Sequence, residues 1–599
     1  MHDNISREHL ADKLGQLSDE NRKRVEDSSH WAAGDPKPLI DLFLLIEQKI
    51  DLPFSNIEAV AVSIPDAFFR EFRPQLVELL HCSVTELKKL RKDFRETAAR
   101  EVAQAIPKEQ TNGQDSTKES KSKKSQSDLL VELVQNAGVE LFHDKSGECY
   151  TTFTVNDHEE TSGVKQQLFR EWLCHEFYQQ SGKTPGGQAL QDALNVVEGQ
   201  ARFDGDEIPV YTRLAGIENA IYLDLCNPDW QAVEITDRGW QVIDDLPVRF
   251  IRHRGLRPLP VPVRDGNIDD LKAFTNIASD DWELYLGFLV QAMRPTGPYP
   301  VLNILGAQGT GKSLTSRYTK ELIDPNIASL RSQPREIRDL MISANNGWAL
   351  VYDNLSQVSD GLSDAFCRMS TGGGFGARKY YTDNEETIFE VERPVVLNGI
   401  AELATRPDLL DRSIIINLQR IEEKDRKTER ELEADFAEKH PGILGALLDV
   451  VSGALSEVES VNLAELSRMA DFQEWVTAAE PALGWEAGTF TAAYTGNRSA
   501  ANELALEASP VAGAIIGLVE TIGFSSCSYS PTDLLQRLEE IVGEKVVKTK
   551  TWPKDAGALT KAIRRLITNF LEIGIEMKQD RDNKSRVWTI SKPNNEQER

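Results

Sequence analysis

No unbroken apolar run of about 18 residues occurs in the 599-residue chain, so the sequence offers no obvious membrane span. Its opening stretch, MHDNISREHLADKLGQLSDENRKR, is charged and holds no apolar segment, so no secretory leader is expected. Cysteine is sparse: Cys82, Cys149, Cys174, Cys226, Cys367 and Cys527 are scattered and form no C-x-x-C pair. That argues against a disulfide framework or a zinc ribbon and predicts a reducing cytoplasm. Positive charge is also short, with 68 Lys and Arg against 95 Asp and Glu, a net −27. Such a field repels phosphates, which excludes a protein that coats nucleic acid over its whole surface and restricts any such contact to local basic patches. What remains is ordinary for soluble globular domains, 40% hydrophobic and 27% charged. The length is too great for one core.

Residues 1–107 read as a helical N-terminal domain. Apolar residues recur at helical spacing over 65–104, and Ser83-Val-Thr-Glu86 fits a capping box that opens a second helix. Both a helix-turn-helix and a simple packing pair suit that pattern. Residues 108–128 follow as a disordered linker; 108–127 are rich in Lys, Ser and Gln and hold no apolar residue. An α/β region at 129–265 contains strand-like runs such as CYTTFTVND, AIYLDL and AVEIT, with a helical pattern over 164–181. In it, Asp204-Gly-Asp206 reads as a hairpin turn, with a metal-binding carboxylate pair as the alternative. A helical connector (266–298), a nucleotide-binding core (299–420), a helical acidic domain (421–507) and a distinct C-terminal domain (508–592) complete the chain.

Gly306-Ala-Gln-Gly309-Thr310-Gly311-Lys312-Ser313 fits G-x-x-x-x-G-K-[ST] in full, between the strand-like YPVLNIL and the helical KSLTSRYTKELI. Glycines let backbone N–H groups close around a β-phosphate at a helix N-terminus. Gly306, Gly309, Thr310, Gly311, Lys312, Ser313 and Leu314 are therefore the expected nucleotide-binding residues. Lys312 is to reach the β/γ-phosphates of ATP and Ser313 to hold Mg²⁺. The metal also needs an acid at the end of a neighbouring buried strand. GWALVYDNLS supplies Asp353, and the next residue is Asn354, an amide that positions water but accepts no proton. ERPVVLNGI ends a further strand in Asn398, placed to sense the γ-phosphate. Arg412 then precedes an apolar strand as a candidate arginine finger, with Arg406 in reserve and a local ion pair with Asp408 or Asp411 as the plain alternative.

Glycine-rich loop, Asp, Asn, then Arg in this order resemble an AAA+ ATPase. Between Asp353 and Asn398, RMSTGGGFGARKYYTDNEETIFEVERP reads as an inserted β-hairpin (375–390). It resembles the hairpin of superfamily-three helicases and the related primase-helicases of phages, plasmids and large DNA viruses. The resemblance implies a hexameric ring whose hairpins line a pore and grip single-stranded DNA. Arg378 and Lys379 would then hold phosphates, and Tyr380 or Tyr381 would touch sugar or base. Family members often carry an acid where Asn354 stands, and no catalytic primase centre is visible.

In the C-terminal domain, SPTDLLQRLEEIVG and AGALTKAIRRLITNFLEIGI are amphipathic helices, and EMKQDRDNKSRVWTI alternates as a two-stranded wing. Residues 545–592 hold twelve Lys and Arg against five Asp and Glu, a local +7. That is the footprint of a confined DNA surface, with Lys561, Arg564 and Arg565 on the recognition helix and Lys584 and Arg586 on the wing. Winged helices also bind proteins, which is the alternative here.

The sequence thus predicts a multidomain α/β protein with a P-loop AAA+-like ATPase core, helical flanking regions and a C-terminal winged helix. The expected function is an ATP-dependent, helicase-like motor in phage or mobile-element replication. It would be a cytoplasmic homo-oligomer, hexamer favoured, with single-stranded DNA in its pore and duplex DNA at the winged helix, and no membrane partner. The alternatives are an ATP-dependent switch or loader that does not unwind DNA, and a non-catalytic interaction protein.

Overall fold

The computed structural model describes residues 124–592 except 157, 379–385, 400–405, 523–525, 550 and 583–584. Residues 1–107, expected to be a helical domain, most of the expected linker, and Lys379, Tyr380, Tyr381 and Lys584 lie outside the described residues. The fold is mixed α/β, in several modules, around a parallel sheet.

Helix α1 (Gln126–Asn136) starts inside the segment read as linker. Ser125 caps it, accepting from the Asp128 backbone while Asp128 reaches back to the Ser125 N–H. Strands β1 (Glu140–His143), β2 (Cys149–Val155) and β3 (His158–Gly163) form a sheet in the order β3-β2-β1-β4. It packs on α2 (Gln167–Ser181) and α3 (Gly187–Phe203) through Phe153, Phe169, Leu173 and Leu194. Asp204-Gly-Asp206 is not a hairpin turn. It joins α3 to the short β4 (Asp206–Glu207), because the preceding residues take helical periodicity. A Cβ on Gly205 would stand 2.5 Å from the Ala201 carbonyl, which excludes any side chain there.

Strand β5 (Val210–Tyr211) pairs with β10 (Arg249–Phe250). Between them β6 (Leu214–Ile217), β7 (Ala220–Asp224), β8 (Ala232–Thr236) and β9 (Gly239–Ile243) run as an antiparallel meander. Helix α4 (Ser279–Ala292) leads into the central sheet. Strand β11 (Val301–Leu305) continues through the glycine-rich loop into α5 (Lys312–Ile323). Helix α6 (Ile337–Asn345), β12 (Leu350–Leu355) and α7 (Asp360–Thr371) follow. A hairpin of β13 (Gly374–Arg378) and β14 (Glu386–Glu390) then precedes β15 (Val395–Gly399), the one-turn α8 (Pro407–Leu410) and β16 (Ser413–Asn417).

The central order is β12-β15-β11-β16, all parallel. Both faces are covered, so the strands read as continuous apolar runs. Leu302 and Ile304 enter the principal core on one face, and Val301 and Leu305 enter a second core on the other. At the outer side of β12, Arg331 adds a parallel bridge to Tyr352, the rudiment of a fifth strand.

Helices α9 (Glu429–Glu457), α10 (Ala470–Leu483) and α11 (Thr489–Glu507) complete the principal core. The stretch Glu429–Ser460 is long and apolar enough to cross a membrane by length and composition, although its apolar residues do not run unbroken. More than half of its apolar window is buried, with Ile443, Leu444, Leu447 and Val451 in the core. The segment 257–266 crosses this helix as an extended strap. Val263 N–H donates to the Pro441 carbonyl at 3.0 Å, and a Cβ on Gly445 would stand 1.9 Å from the Val263 carbonyl.

The C-terminal module runs α12 (Pro510–Ile522), β17 (Cys527–Tyr529), α13 (Pro531–Val542), α14 (Glu544–Val547), α15 (Ala556–Glu572), β18 (Glu576–Asp582) and β19 (Ser585–Ser591). Its sheet is antiparallel in the order β17-β19-β18. Trp588 and Phe570 are fully buried in a core of its own.

A buried ionic cluster joins the meander to the central sheet. Asp324, at the C-terminus of α5, accepts from Arg213 Nε at 2.9 Å and Lys320 Nζ at 2.6 Å. It also accepts from the Trp348 and Ala349 backbone N–H groups at 2.8 and 3.1 Å. Burial opposes ionisation of Asp324, but the Lys320 and Arg213 charges outweigh it and hold the carboxyl well below its usual range. Asp324→Asn, which leaves two buried cations without their anion, is expected to cost about 3–5 kcal/mol at neutral pH. A carboxyl held low in the folded state stabilises above its unfolded value, near pH 4, and loses that contribution as pH falls toward the folded value. The gap between wild type and variant in urea denaturation should therefore be full at pH 7 and shrink progressively below pH 4.

Candidate functional site

The glycine-rich loop leaves β11, whose five residues are all buried between β15 and β16. A Cβ on Gly306 would stand 2.7 Å from Thr310 Oγ1 and 2.8 Å from the Leu418 carbonyl, so only glycine fits. Gly309 and Gly311 take φ of 82° and 83°, the left-handed region that glycine enters freely. The loop is tied down from within and from outside. Thr310 Oγ1 donates to the Ala307 carbonyl at 3.0 Å, and Asn276 Nδ2 donates to the Thr310 carbonyl at 3.1 Å and to the Gln419 carbonyl.

Helix α5 begins at Lys312, and its amine folds back over the loop to the Gly306 and Ala307 carbonyls at 2.7 and 2.9 Å. Burial lowers its pKa, with Asp353 opposing. Ser313 Oγ donates to Asp353 Oδ1 at 2.8 Å, joining residues forty positions apart. Leu314 is half-buried against the principal core.

Asn354 and Asn398 are coupled. Asn398, 1% exposed, accepts the Asn354 backbone N–H on Oδ1 at 2.8 Å and donates from Nδ2 to Ser316 Oγ at 2.7 Å. Its amide is thus a strut between β12 and α5 rather than a group held out into the loop. Asn354 is exposed at φ 55°, where the pairing of β12 with β15 shifts register between Tyr352 and Leu355. Asparagine is among the few residues that tolerate this conformation.

Arg412 lies at the other end of the sheet. Its carbonyl accepts from Val301 N–H, at the start of β11, while the loop follows Leu305 at the end. At about 3.3 Å per residue the two are roughly 15 Å apart along the strands. Arg412 Nη1 donates to the Asp408 carbonyl at 2.7 Å. The Asp411 carboxylate faces Arg468 and Arg498 instead, and Arg412 meets Asp408 through its backbone carbonyl, so the alternative of a local ion pair with these aspartates is not what the structure shows. Arg406, the reserve, is held by Asp364 at 2.7 Å and the Asp360 carbonyl at 2.8 Å.

The β13–β14 hairpin is present, with Phe375 opposite Phe389 and Arg378 opposite Glu386. It is rooted at the Arg412 end of the sheet. Ser370, at the end of α7, exchanges two hydrogen bonds with Tyr299, and Glu392 accepts from the Gly297 N–H at 3.0 Å. On the C-terminal module, Lys561, Arg564, Arg565 and Arg586 are exposed. Arg564 donates to Gln579 Oε1 at 2.6 Å, and Arg565 lines a cleft shared with α8 and α11. Two neighbours of the loop carried no motif in the sequence: Asn276, and Arg426, whose guanidinium lies 3.8 Å from where a Cβ on Gly309 would stand.

Residues 268–499 match the family of actinomycete integrative conjugative element replication proteins, AICE RepA, and residues 511–598 match the AICE RepA C-terminal domain. Together these stretches span more than half of the chain, which belongs to that family. None of the curated proteins matches the sequence. Among solved structures, the SCCmec type IV Cch active helicase is similar at 12% identity over 76% of this chain and 93% of that one, with a TM-score of 0.43. The NrS-1 C-terminal region is similar at 12% identity over 78% and 99%, with a TM-score of 0.36.

The backbone at Asn354 gives a direct test. Asn354→Gly should change stability by less than about 1 kcal/mol, whereas Asn354→Val, β-branched at positive φ, should cost about 1–3 kcal/mol. Thermal melts of the two variants beside wild type check this.

Proposed function

We propose that this chain is an ATP-driven, ring-forming AAA+ motor that moves on single-stranded DNA during replication of a mobile integrative element. In this reading it is a cytoplasmic homo-oligomer, with a hexamer favoured. The observation that carries the reading is the Ser313–Asp353 hydrogen bond beside the Lys312 amine and the glycine cradle. A hydroxyl and an acid brought to one point at a helix N-terminus are what Mg²⁺ on a nucleotide requires. The residues fit the group: loop residues 307–309 are exposed, and Lys312 and Ser313 start a twelve-residue helix. When bound, Mg-ATP supplies the phosphoanhydride to be cleaved and a cation that offsets its charge. Lys312 would hold the β/γ-phosphates, Ser313 and Asp353 the metal, and Asn398 would keep α5 and β12 in register.

Arg412 sits too far from its own loop to serve it, so it is assigned to the site of the next subunit. The hairpin at the same end of the sheet is assigned to single-stranded DNA through Arg378, with Lys379 and Tyr380 beyond it. The order helix, strand, helices, hairpin in the C-terminal module suits a winged helix, and its local +7 charge suits duplex DNA at Lys561, Arg564, Arg565, Lys584 and Arg586. The family description, a replication protein of integrative elements, supports the setting.

One observation favours a second reading, an ATP-dependent switch or loader without unwinding: Asn354 puts no carboxylate beside Asp353 to take a proton from water. Steady-state ATP hydrolysis with and without single-stranded DNA separates the two. The motor predicts turnover that DNA stimulates and Lys312→Ala abolishes, with Arg412→Ala lowering kcat by a factor on the order of 10³. Nucleotide binding without turnover under both conditions would replace the motor by the switch.

A further inference from the structure

The turn that carries Arg412 is braced by another part of the chain. Strand β16 is an edge of the central sheet, so one side of its backbone has no strand partner. Asn497 of α11 takes that place. The Ile415 N–H donates to Asn497 Oδ1 at 3.0 Å, and Asn497 Nδ2 donates to the Ile415 carbonyl at 2.7 Å. The next residue along α11, Arg498, reaches the other side of Arg412: its Nη2 lies 3.6 Å from Asp411 Oδ1. The same nitrogen lies 3.2 Å from Glu572 Oε1, on α15 of the C-terminal module. Arg468 completes the hold on Asp411 at 2.6 Å. Alongside, Asn502 and Asn569 exchange hydrogen bonds at 3.2 and 2.6 Å, seating α15 against α11. The cleft these side chains enclose is about 30 Å³, room for a water molecule and not for a nucleotide or an organic ligand. The cluster is a joint, not a ligand site.

We propose that Arg498 is a positioning residue for Arg412, braced from behind by Glu572, so that the seating of the C-terminal module sets how Arg412 meets the next subunit's site. The inference rests on the reading above, in which Arg412 acts in trans. Asp411 and Ile415 flank Arg412, and Arg498 with its neighbour Asn497 holds both. A partly buried carboxylate held by two arginines has few alternative positions, and the residue next to it inherits that restriction. In this arrangement anything that reseats α15, including a ligand on the C-terminal module, reaches the Arg412 turn, with Arg498 as the ionic link between them.

Subunit mixing tests this. Arg498→Met should lower kcat for ATP by a factor of about 10–100 with KM nearly unchanged, because the fault lies in a neighbour's geometry and not in nucleotide binding. Arg498→Lys should recover part of the loss. Mixing Arg498→Met with Lys312→Ala subunits, which carry an intact Arg412 turn but no working loop, should raise turnover above that of Arg498→Met alone. Absence of that recovery, or a rise in KM with kcat intact, overturns the proposal. If Arg498→Met fails to assemble, Glu572→Gln, on the far side of the joint, carries the same expectations. A wild-type protein whose hydrolysis does not depend on Arg412 refutes the trans reading itself, a result separate from failed recovery in a protein that does depend on it.

Discussion

One buried carboxylate aligns the parts that the proposed chemistry uses. Asp324 sits where α5 ends and receives the N–H groups of Trp348 and Ala349, just before β12 begins. The opposite ends of these two elements carry Lys312 and Ser313 on one side and Asp353 on the other. Fixing the distal ends at Asp324 therefore sets the angle between helix and strand, and that angle decides whether Ser313 and Asp353 meet. Lys320 and Arg213 keep Asp324 ionised in a place where burial alone would neutralise it. Arg213 is itself fully buried and also donates to the Asp224 and Arg257 carbonyls, so the meander is tied into the same point. A hydrophobic contact would hold these pieces together as well but would not fix their orientation, since dispersion has no direction.

Much of the central sheet was legible because its signals are local. The loop motif, the apolar run before it and the helical period after it lie within about two dozen residues, and each parallel strand is an apolar run that both covered faces require. The hairpin between α7 and β15 was legible from its glycine root, and the C-terminal module from two amphipathic helices and an alternating tail. What escaped shares a cause. Arg213 and Asp324 are 111 residues apart, and nothing in YTRLAG marks an arginine destined for the core. Asn276 reaches the loop from before α4 for the same reason. Asp204-Gly misled because turn chemistry is shared by hairpins and by helix-to-strand junctions. The role of Asn354 depends on a backbone angle, which residue type hints at but does not state.

The parallel sheet also separates two sets of residues by its own length. Loop, Lys312, Ser313 and Asp353 gather where the strands end. The hairpin root and Arg412 gather where they begin. Strand β15 spans the distance, with Asn398 near one end and, at the other, Arg393 stacked on Trp348 and bonded to the Ala344 and Gly347 carbonyls. A strand buried along its whole length bends little, so a displacement at one end is transmitted as a displacement at the other.

Helix α11 belongs to three cores at once, with Phe490 and Tyr494 in the principal one. Ala501 and Ala505 pack beneath the central sheet, while Leu506, one residue on, closes the core of the C-terminal module. The apparent seam in the sequence, just before Pro510, is thus not a seam in the solid. A recombination event that exchanged the last domain at that point would leave Leu506 facing a foreign surface and strand Asn502 without Asn569. Moving α11 together with the domain would open the other side instead, since Phe490 and Tyr494 sit in the principal core and Asn497 is bonded to Ile415. No cut along this stretch leaves every core closed, because the same helix closes all of them.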